Sequence, residues 1–196
     1  MLSLILGITG FGLYILYDIN SFTKKNPIVH SFFFLGTVLI GLATAMDLYH
    51  SFALRAFSGA ADLALAAGGI VSFLALIYCL FFALPFEKTY THQTTGNPVY
   101  DGGVYALCRH PGILCFFFLY LLLGLAALPG RLLHHGMVFS LLNLLYAWFQ
   151  DRVTFPKTFC DYREYRTRVP FLIPTPASIR MAIKTLPHSK NREEIL

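Results

Sequence analysis

The sequence has little charge and no paired cysteine motif. Charged residues make up 13% of the chain, against roughly 25% in soluble domains. Because 56% of the 196 residues are hydrophobic and the mean hydropathy is +0.61, this composition argues against a water-soluble protein and indicates an integral membrane protein. The four cysteines form no CxxC pair, which argues against a disulfide framework and against a zinc site.

The N-terminal segment also lacks the features of a secretion signal. MLSLILGITGFGLYILYDI contains no lysine or arginine and no clear small-residue cleavage site, so we expect a retained membrane span rather than a signal peptide. No internal repeat is evident either. One compact domain over residues 1–196 accounts for the length of the chain.

Five long runs contain almost no charge. Each is near the roughly 20 residues that a helix needs to cross a hydrocarbon core of ~30 Å. We therefore predict an all-α integral membrane protein with five transmembrane helices. The predicted spans are about 2–17, 28–46, 59–86, 111–130 and 132–149.

Lysine and arginine are distributed unevenly between the connecting segments. Of the 15 such residues, 13 fall in segments 20–27 and 87–110 and in the tail after residue 149. Because cytoplasmic segments are enriched in these residues, we predict a cytoplasmic C-terminus and an N-terminus outside. The region after Pro176 is typical of a short amphipathic helix on the membrane surface, followed by a frayed tail.

Arg109 and His110 stand directly before the fourth predicted span, and Pro111 is its first residue. Proline favours the first helical position, and the free N–H groups of a helix start attract anions. A guanidinium beside them would complete a clamp for a carboxylate. The alternative is that Arg109 only reaches lipid phosphates and that His110 is an interfacial residue.

The residues before this motif favour a ligand. Asp101-Gly102-Gly103 would allow the backbone to approach a flat molecule closely, and Tyr105 could stack on that molecule or form a hydrogen bond with it. Eight of the 25 charged residues lie in 150–176, which we place on the same side of the membrane.

Two stretches carry a family resemblance. GVYALCRHP resembles a signature of the isoprenylcysteine carboxyl methyltransferase group, a family of integral membrane methyltransferases similar to phospholipid methyltransferases. DYREYRTRVPFLIP resembles the second signature of that group, in which a Y-x-x-Y pair precedes an arginine and V-P. The resemblance covers about residues 96–174. The matching positions are Gly103, Tyr105, Arg109, His110, Pro111, Tyr162, Tyr165, Arg168, Val169 and Pro170.

This resemblance implies an enzyme that binds S-adenosylmethionine at the cytoplasmic face, between segments 96–111 and 150–174. It implies methyl transfer to a lipid-like acceptor, first of all the carboxylate of a prenylated cysteine. Arg109, Asp151 and Arg168 are the implied catalytic residues, with Arg109 either structural or carboxylate-binding. The implied cofactor-binding residues are Gly103, Tyr105, His110, Gln150, Asp151 and Tyr162.

The sequence departs from the family pattern at the end of the last span. A Glu-Glu pair is usual there, and this chain has Gln150-Asp151. The proline usual before Tyr105 is replaced by Val104. One alternative is therefore a cofactor-binding or lipid-binding relative with weakened catalysis.

A second alternative is a haem or metal protein with histidine ligands. His30 and His50 lie at opposite ends of the second predicted span and cannot share one iron. His134 and His135 have no evident sequence partner except His50, and we predict no metal site.

Aromatic and basic residues alternate in 162–166, which on a membrane protein indicates lipid headgroups rather than nucleic acid. The expected partners are the bilayer and a lipophilic or prenylated acceptor.

Overall fold

The computed structural model describes residues 1–23, 26–53, 59–83 and 98–185. These residues are helical or irregular and contain no β-strand. A π-helical segment, Tyr78–Phe82, continues the α-helix Ala60–Ile77, and a second one, Gln150–Thr154, continues the α-helix Leu132–Phe149. The helices are α1 Leu2–Phe22, α2 Pro27–His30, α3 Phe32–Phe52, α4 Ala60–Ile77, α5 Val104–Leu107, α6 Pro111–Ala126, α7 Leu132–Phe149, α8 Phe155–Thr158, α9 Tyr162–Arg168 and α10 Pro176–Thr185.

Four helical stretches in the described residues are long and apolar enough to cross a membrane. They are Leu2–Phe22, Pro27–Phe52, Ala60–Phe82 and Leu132–Thr158. The fourth predicted span is a shorter apolar helix, Pro111–Ala126, which at 1.5 Å per residue is about 24 Å long. The prediction of an all-helical membrane protein is confirmed in this form.

The first helix runs five residues beyond its predicted end at residue 17. Its last turn contains polar side chains that bond back to the helix: Ser21 Oγ donates to the carbonyl of Asp18, and Thr23 Oγ1 donates to that of Ile19. These bonds satisfy the hydroxyl groups locally, so polar residues are accommodated at the end of α1 beyond the apolar run. The predicted third span, 59–86, extends to residues outside those described.

Helix α6, which corresponds to the fourth predicted span, ends at Ala126, four residues before the predicted boundary at 130. Pro129 has no N–H to donate, and it disfavours helical geometry at Leu128. Residues 127–130 form a turn instead, in which the Gly130 N–H donates to the Ala127 carbonyl over 2.8 Å. The short connection to α7 at Leu132 is therefore present, with a shorter helix before it.

The described residues fall into two compact units. The first comprises Met1–Phe73 and Cys115–Thr154. Within it α1 and α3 touch through glycines: a Cβ on Gly10 would lie 2.8 Å from the carbonyl oxygen of Gly36. Close backbone approach of this kind is typical of membrane helix pairs. The buried apolar core of this unit is Phe11, Ile40, Ala43, Tyr120, Ala127, Leu132, Phe139 and Tyr146.

The second unit comprises Leu74–Leu114 and Phe155–Leu196. Its core is aromatic: Tyr162 and Tyr165 are buried beside Val169. Val99, Phe155, Phe159 and Met181 pack against these three residues. The segment before α6 and the helices α8, α9 and α10 thus share one small core.

Apolar side chains cover the surface of the first unit while carboxylates lie inside it. Phe34 is 73% exposed and Trp148 is 55% exposed, whereas Asp18, Asp47 and Asp151 are all buried. In water this distribution would leave large apolar patches uncovered. It suits a hydrocarbon solvent, in which helices meet through small residues and keep polar groups inside.

Candidate functional site

The segment before α6 begins with a turn that only glycine adopts without strain. Gly103 has φ 58° and ψ −129°, which lies in the region that L side chains rarely enter. A Cβ at this position would meet no described atom within 4 Å. On that side no described residue covers the backbone, and the Gly103 N–H donates to Thr185 Oγ1 of α10 over 3.0 Å.

Arg109 joins this segment to the region after α9. Its backbone N–H donates to the carbonyl of Pro170 over 2.9 Å. Its guanidinium Nη1 donates to the carbonyls of Arg166 and Val169, over 3.0 and 2.8 Å. The same guanidinium lies 5.7 Å from the ring centre of Phe171. The contacts of Arg109 in the described structure are therefore those of a residue that holds the two segments together.

Further hydrogen bonds connect the same two segments. The Tyr165 hydroxyl donates to the carbonyl of Tyr105 over 2.7 Å. The backbone N–H of Val99 donates to Asp161 Oδ1 over 2.8 Å. Through these bonds the second unit brings both motif-bearing segments together.

Tyr105 and His110 are held in different ways. The Tyr105 hydroxyl donates to the carbonyl of Cys79 over 2.9 Å. The buried His110 ring is stacked on Phe155 at 5.8 Å between ring centres and is tilted against Phe171 at 4.9 Å. Packing between two aromatic rings fixes the plane of the imidazole.

Tyr162 and Arg168 contrast in burial, although both are predicted site residues. Tyr162 is buried in the aromatic core, where its ring contacts Phe155, Phe159 and Tyr165. The side chain of Arg168 is 44% exposed and lies 3.3 Å from an oxygen of Asp101. It thus carries its charge on the surface beside the glycine turn.

Gln150 and Asp151 lie in the π-helical segment of the first unit. The extra residue in such a turn changes the direction of the side chains that follow, and π-helical turns are frequent at functional sites. Gln150 Nε2 donates to the Tyr146 hydroxyl over 2.9 Å, and Asp151 is only 2% exposed. A buried carboxylate is expensive in a membrane protein and usually has a function.

Asp18 is a residue that the sequence patterns did not single out. Its Oδ2 accepts a hydrogen bond from Thr154 Oγ1 at 3.3 Å, so α1 contributes a carboxylate to the π-helical segment. Both side chains are buried. Asp18 is the single charged residue in 1–23, and that isolation was the available signal.

Asp47 and His135 form a second polar centre. His135 Nδ1 lies 2.9 Å from Asp47 Oδ2, and Ser3 Oγ donates to Asp47 Oδ1 over 2.8 Å. The sequence offered only His50 as a partner for His135. Among the described residues no group of three or more metal-binding side chains could hold an ion.

No family model, no curated protein and no solved structure matches this chain. The family resemblance therefore rests on the two motifs in the sequence. The described contacts add that both motifs, from Gly103 to Pro170, belong to one hydrogen-bonded unit.

Proposed function

We propose that this protein transfers a methyl group from S-adenosylmethionine to a lipid-like acceptor in the membrane. The observation that supports this most directly is the bonding of Arg109 to Pro170, Arg166 and Val169. The two sequence motifs that suggest a methyltransferase are distant in the chain and meet through these bonds. If the resemblance were due to chance, the two motif-bearing segments would not need to be bonded to each other.

The chemistry of the residues near Gly103 fits the proposed cofactor. S-adenosylmethionine carries a flat adenine, and Tyr100 and Tyr105 lie together with ring centres 6.5 Å apart. No described atom lies within 4 Å of where a Cβ of Gly103 would stand, so a ligand would reach the backbone from a side that a side chain would block. Arg168, beside Asp101, supplies an accessible cation for a carboxylate.

Such a cofactor would supply a methyl group from a sulfonium, with the carbon–sulfur electron pair staying on sulfur as an acceptor oxygen bonds to carbon. The role of the protein is then to orient the two partners and to exclude water. His110, fixed between Phe155 and Phe171, is suited to orienting a ligand. Arg109 acts as a positioning residue. Asp151 would bind the cofactor or, for an amine acceptor, accept a proton.

We further propose five spans with the motif-bearing segments on the cytoplasmic side. Helix α6 would be the fourth span in chain order and would complete the set of five, since Pro111–Ala126 contains no charge and the turn after it adds length. The enrichment of lysine and arginine in the same segments supports this orientation. An acceptor with a prenyl or acyl chain would then approach from the bilayer.

The test is calorimetric titration of S-adenosylmethionine and S-adenosylhomocysteine into the full chain in detergent. We expect saturable binding of both, weakened at least tenfold in His110→Ala. His134→Ala is the matched control, because His134 is exposed and lies in neither motif. It should bind as the wild type does.

The outcomes separate binding from catalysis. Absence of binding in wild-type protein that melts cooperatively would refute the proposal. Binding without methylation of a prenylcysteine, amine or thiol acceptor would indicate a relative with weakened catalysis, as the Gln150-Asp151 departure suggests. Asp151→Asn should lower turnover in an active preparation.

A further inference from the structure

The first unit contains a cavity in which a buried carboxylate and an arginine occur together. Its volume is about 220 Å³, so it has room for a group of several non-hydrogen atoms rather than for one water. It lies where the first turn of α1, the last turns of α3 and the residue before α7 meet. The lining includes Leu2, Ser3, Met46, Asp47, His50 and Arg131.

The carboxylate in this cavity is held rigidly. Asp47 is 1% exposed, accepts from Ser3 Oγ over 2.8 Å and lies 2.9 Å from His135 Nδ1. An ionised carboxylate has about four lone-pair sites, so these two contacts leave capacity for a further donor. The side chain is oriented by its neighbours and still reaches the cavity.

This cluster is not a hydrolytic triad. Ser3 Oγ lies 3.2 Å from Nδ1 of His135, the same nitrogen that contacts Asp47. In a triad the two ring nitrogens serve different partners, with the carboxylate on one and the nucleophile on the other. Ser3 instead donates to the carboxylate, which makes it an orienting group.

Arg131 supplies the opposite charge. It is half-buried at the N-terminal end of α7 and lines the same cavity. In the described part of the chain no carboxylate forms an ion pair with it, Asp47 included. Two opposite charges thus share one cavity without neutralising each other. A ligand that satisfied both would carry a cation and an anion separated by a short linker.

We propose that this cavity binds a phosphodiester or phosphomonoester joined to a primary amine, as in the headgroup of an aminophospholipid. The phosphate oxygens would accept from the Arg131 guanidinium, whose planar donors suit phosphate. The ammonium would donate to Asp47. The cavity opens at the ends of apolar helices, where lipid headgroups lie, and the exposed side chains of Leu2 and Met46 flank it.

The experiment is native mass spectrometry of the full chain in detergent with added dioleoyl phosphatidylethanolamine, phosphatidylcholine or phosphatidylglycerol. We expect phosphatidylethanolamine to bind about tenfold more tightly than either other lipid. Phosphatidylcholine has no N–H to donate to Asp47, and phosphatidylglycerol has no cation. Equal affinity for phosphatidylethanolamine and either of the others would overturn the proposal.

Variants assign the effect to the cavity. Arg131→Gln and Asp47→Asn should each remove the preference, whereas Arg180→Gln, which removes an exposed arginine of α10, should retain it. Arg131 is half-buried and bonds to no described carboxylate, so Arg131→Gln should fold even if Asp47→Asn does not. A preference unchanged in Arg131→Gln would contradict the assignment.

Competition with free O-phosphoethanolamine identifies the source of the ligand. Displacement of the lipid at micromolar concentrations would show that the headgroup alone is recognised and that a soluble ligand is bound. Retention of the lipid at millimolar concentrations would assign the cavity to the membrane lipid.

Discussion

Nη1 of Arg109 donates to the carbonyl oxygens of Arg166 and Val169, at 3.0 and 2.8 Å. The arginine stands two residues before the start of α6, and its acceptors lie at the end of α9. One side chain therefore satisfies backbone groups that the end of a helix leaves without intrahelical donors. This relationship makes Arg109 a test of whether the motif is structural or catalytic.

Arg109→Lys should destabilise the protein. A lysine ammonium is a single point donor without the planar fork of the guanidinium, and losing a charge-assisted bond to a partly buried carbonyl costs about 1–3 kcal/mol. Arg168→Lys is the comparison, because exposed ion pairs are worth about 0–1 kcal/mol. Thermal unfolding in detergent should show a clear drop in Tm for the first variant alone. Equal Tm values for both would argue against a positioning role.

Gly10→Ala should weaken the contact between α1 and α3. The added Cβ would lie 2.8 Å from the carbonyl oxygen of Gly36 and 2.7 Å from Ile40 Cγ1. Since a backbone oxygen cannot rotate away, the helices must separate, at a cost of about 1–3 kcal/mol. Gly12→Ala in the same helix is the control, because no described atom lies within 4 Å of its Cβ. Unfolding in a denaturing detergent measures the stability of both variants. Wild-type stability in Gly10→Ala would contradict the close contact between α1 and α3.

Gly103→Ala should disturb the glycine turn. At φ 58° an alanine is strained by about 1–3 kcal/mol, although its methyl group would meet no described atom within 4 Å. If relief of this strain shifts the turn, the bond to Thr185 and the affinity for S-adenosylmethionine should both fall. Gly112→Ala in α6 should be tolerated, since its Cβ would meet Leu76 Cδ1 at an ordinary 3.6 Å. Calorimetry on the two variants checks this, and wild-type affinity in Gly103→Ala would show that the turn is not part of the site.

Asp47 and His135 should be coupled energetically. Removing one partner of a buried hydrogen-bonded pair leaves the other unsatisfied and costs about 1–3 kcal/mol, whereas replacing both partners with apolar residues costs less. We expect the loss of stability in the double variant, Asp47→Leu with His135→Phe, to be smaller than the sum of the losses in the two single variants. A double-mutant cycle on the unfolding free energy measures the coupling. A coupling near zero would mean that the 2.9 Å contact contributes nothing.

Several helix boundaries could be predicted from local chemistry. Pro111 marks the start of α6 because it suits the first helical position, and α7 begins at Leu132 as predicted. The ends were harder to predict. Helix α1 continues to Phe22 through polar residues whose hydroxyls bond to backbone carbonyls of α1, and Pro129 stops α6 early. Hydropathy detects neither effect.

The candidate site could be predicted in part. The motif residues from Gly103 to Arg168 were identified by type and order, but their partners were not. Asp18 and Thr185 are far from the motifs in sequence, and only packing brings Asp18 to Thr154 and Thr185 to Gly103. His135 likewise finds Asp47 and Ser3, from two other helices.

The amino-acid sequence alone was enough to predict a membrane environment and a helical secondary structure. Long runs without charge cannot satisfy their backbone groups in a bilayer except as helices, and this follows from composition alone. The tertiary structure decided which polar groups meet. A hydrogen bond such as Arg109 to Val169, or Asp47 to His135, depends on how helices distant in the chain align, and glycine contacts such as Gly10 to Gly36 set that alignment. Periodicity along one segment carries no information about its neighbour.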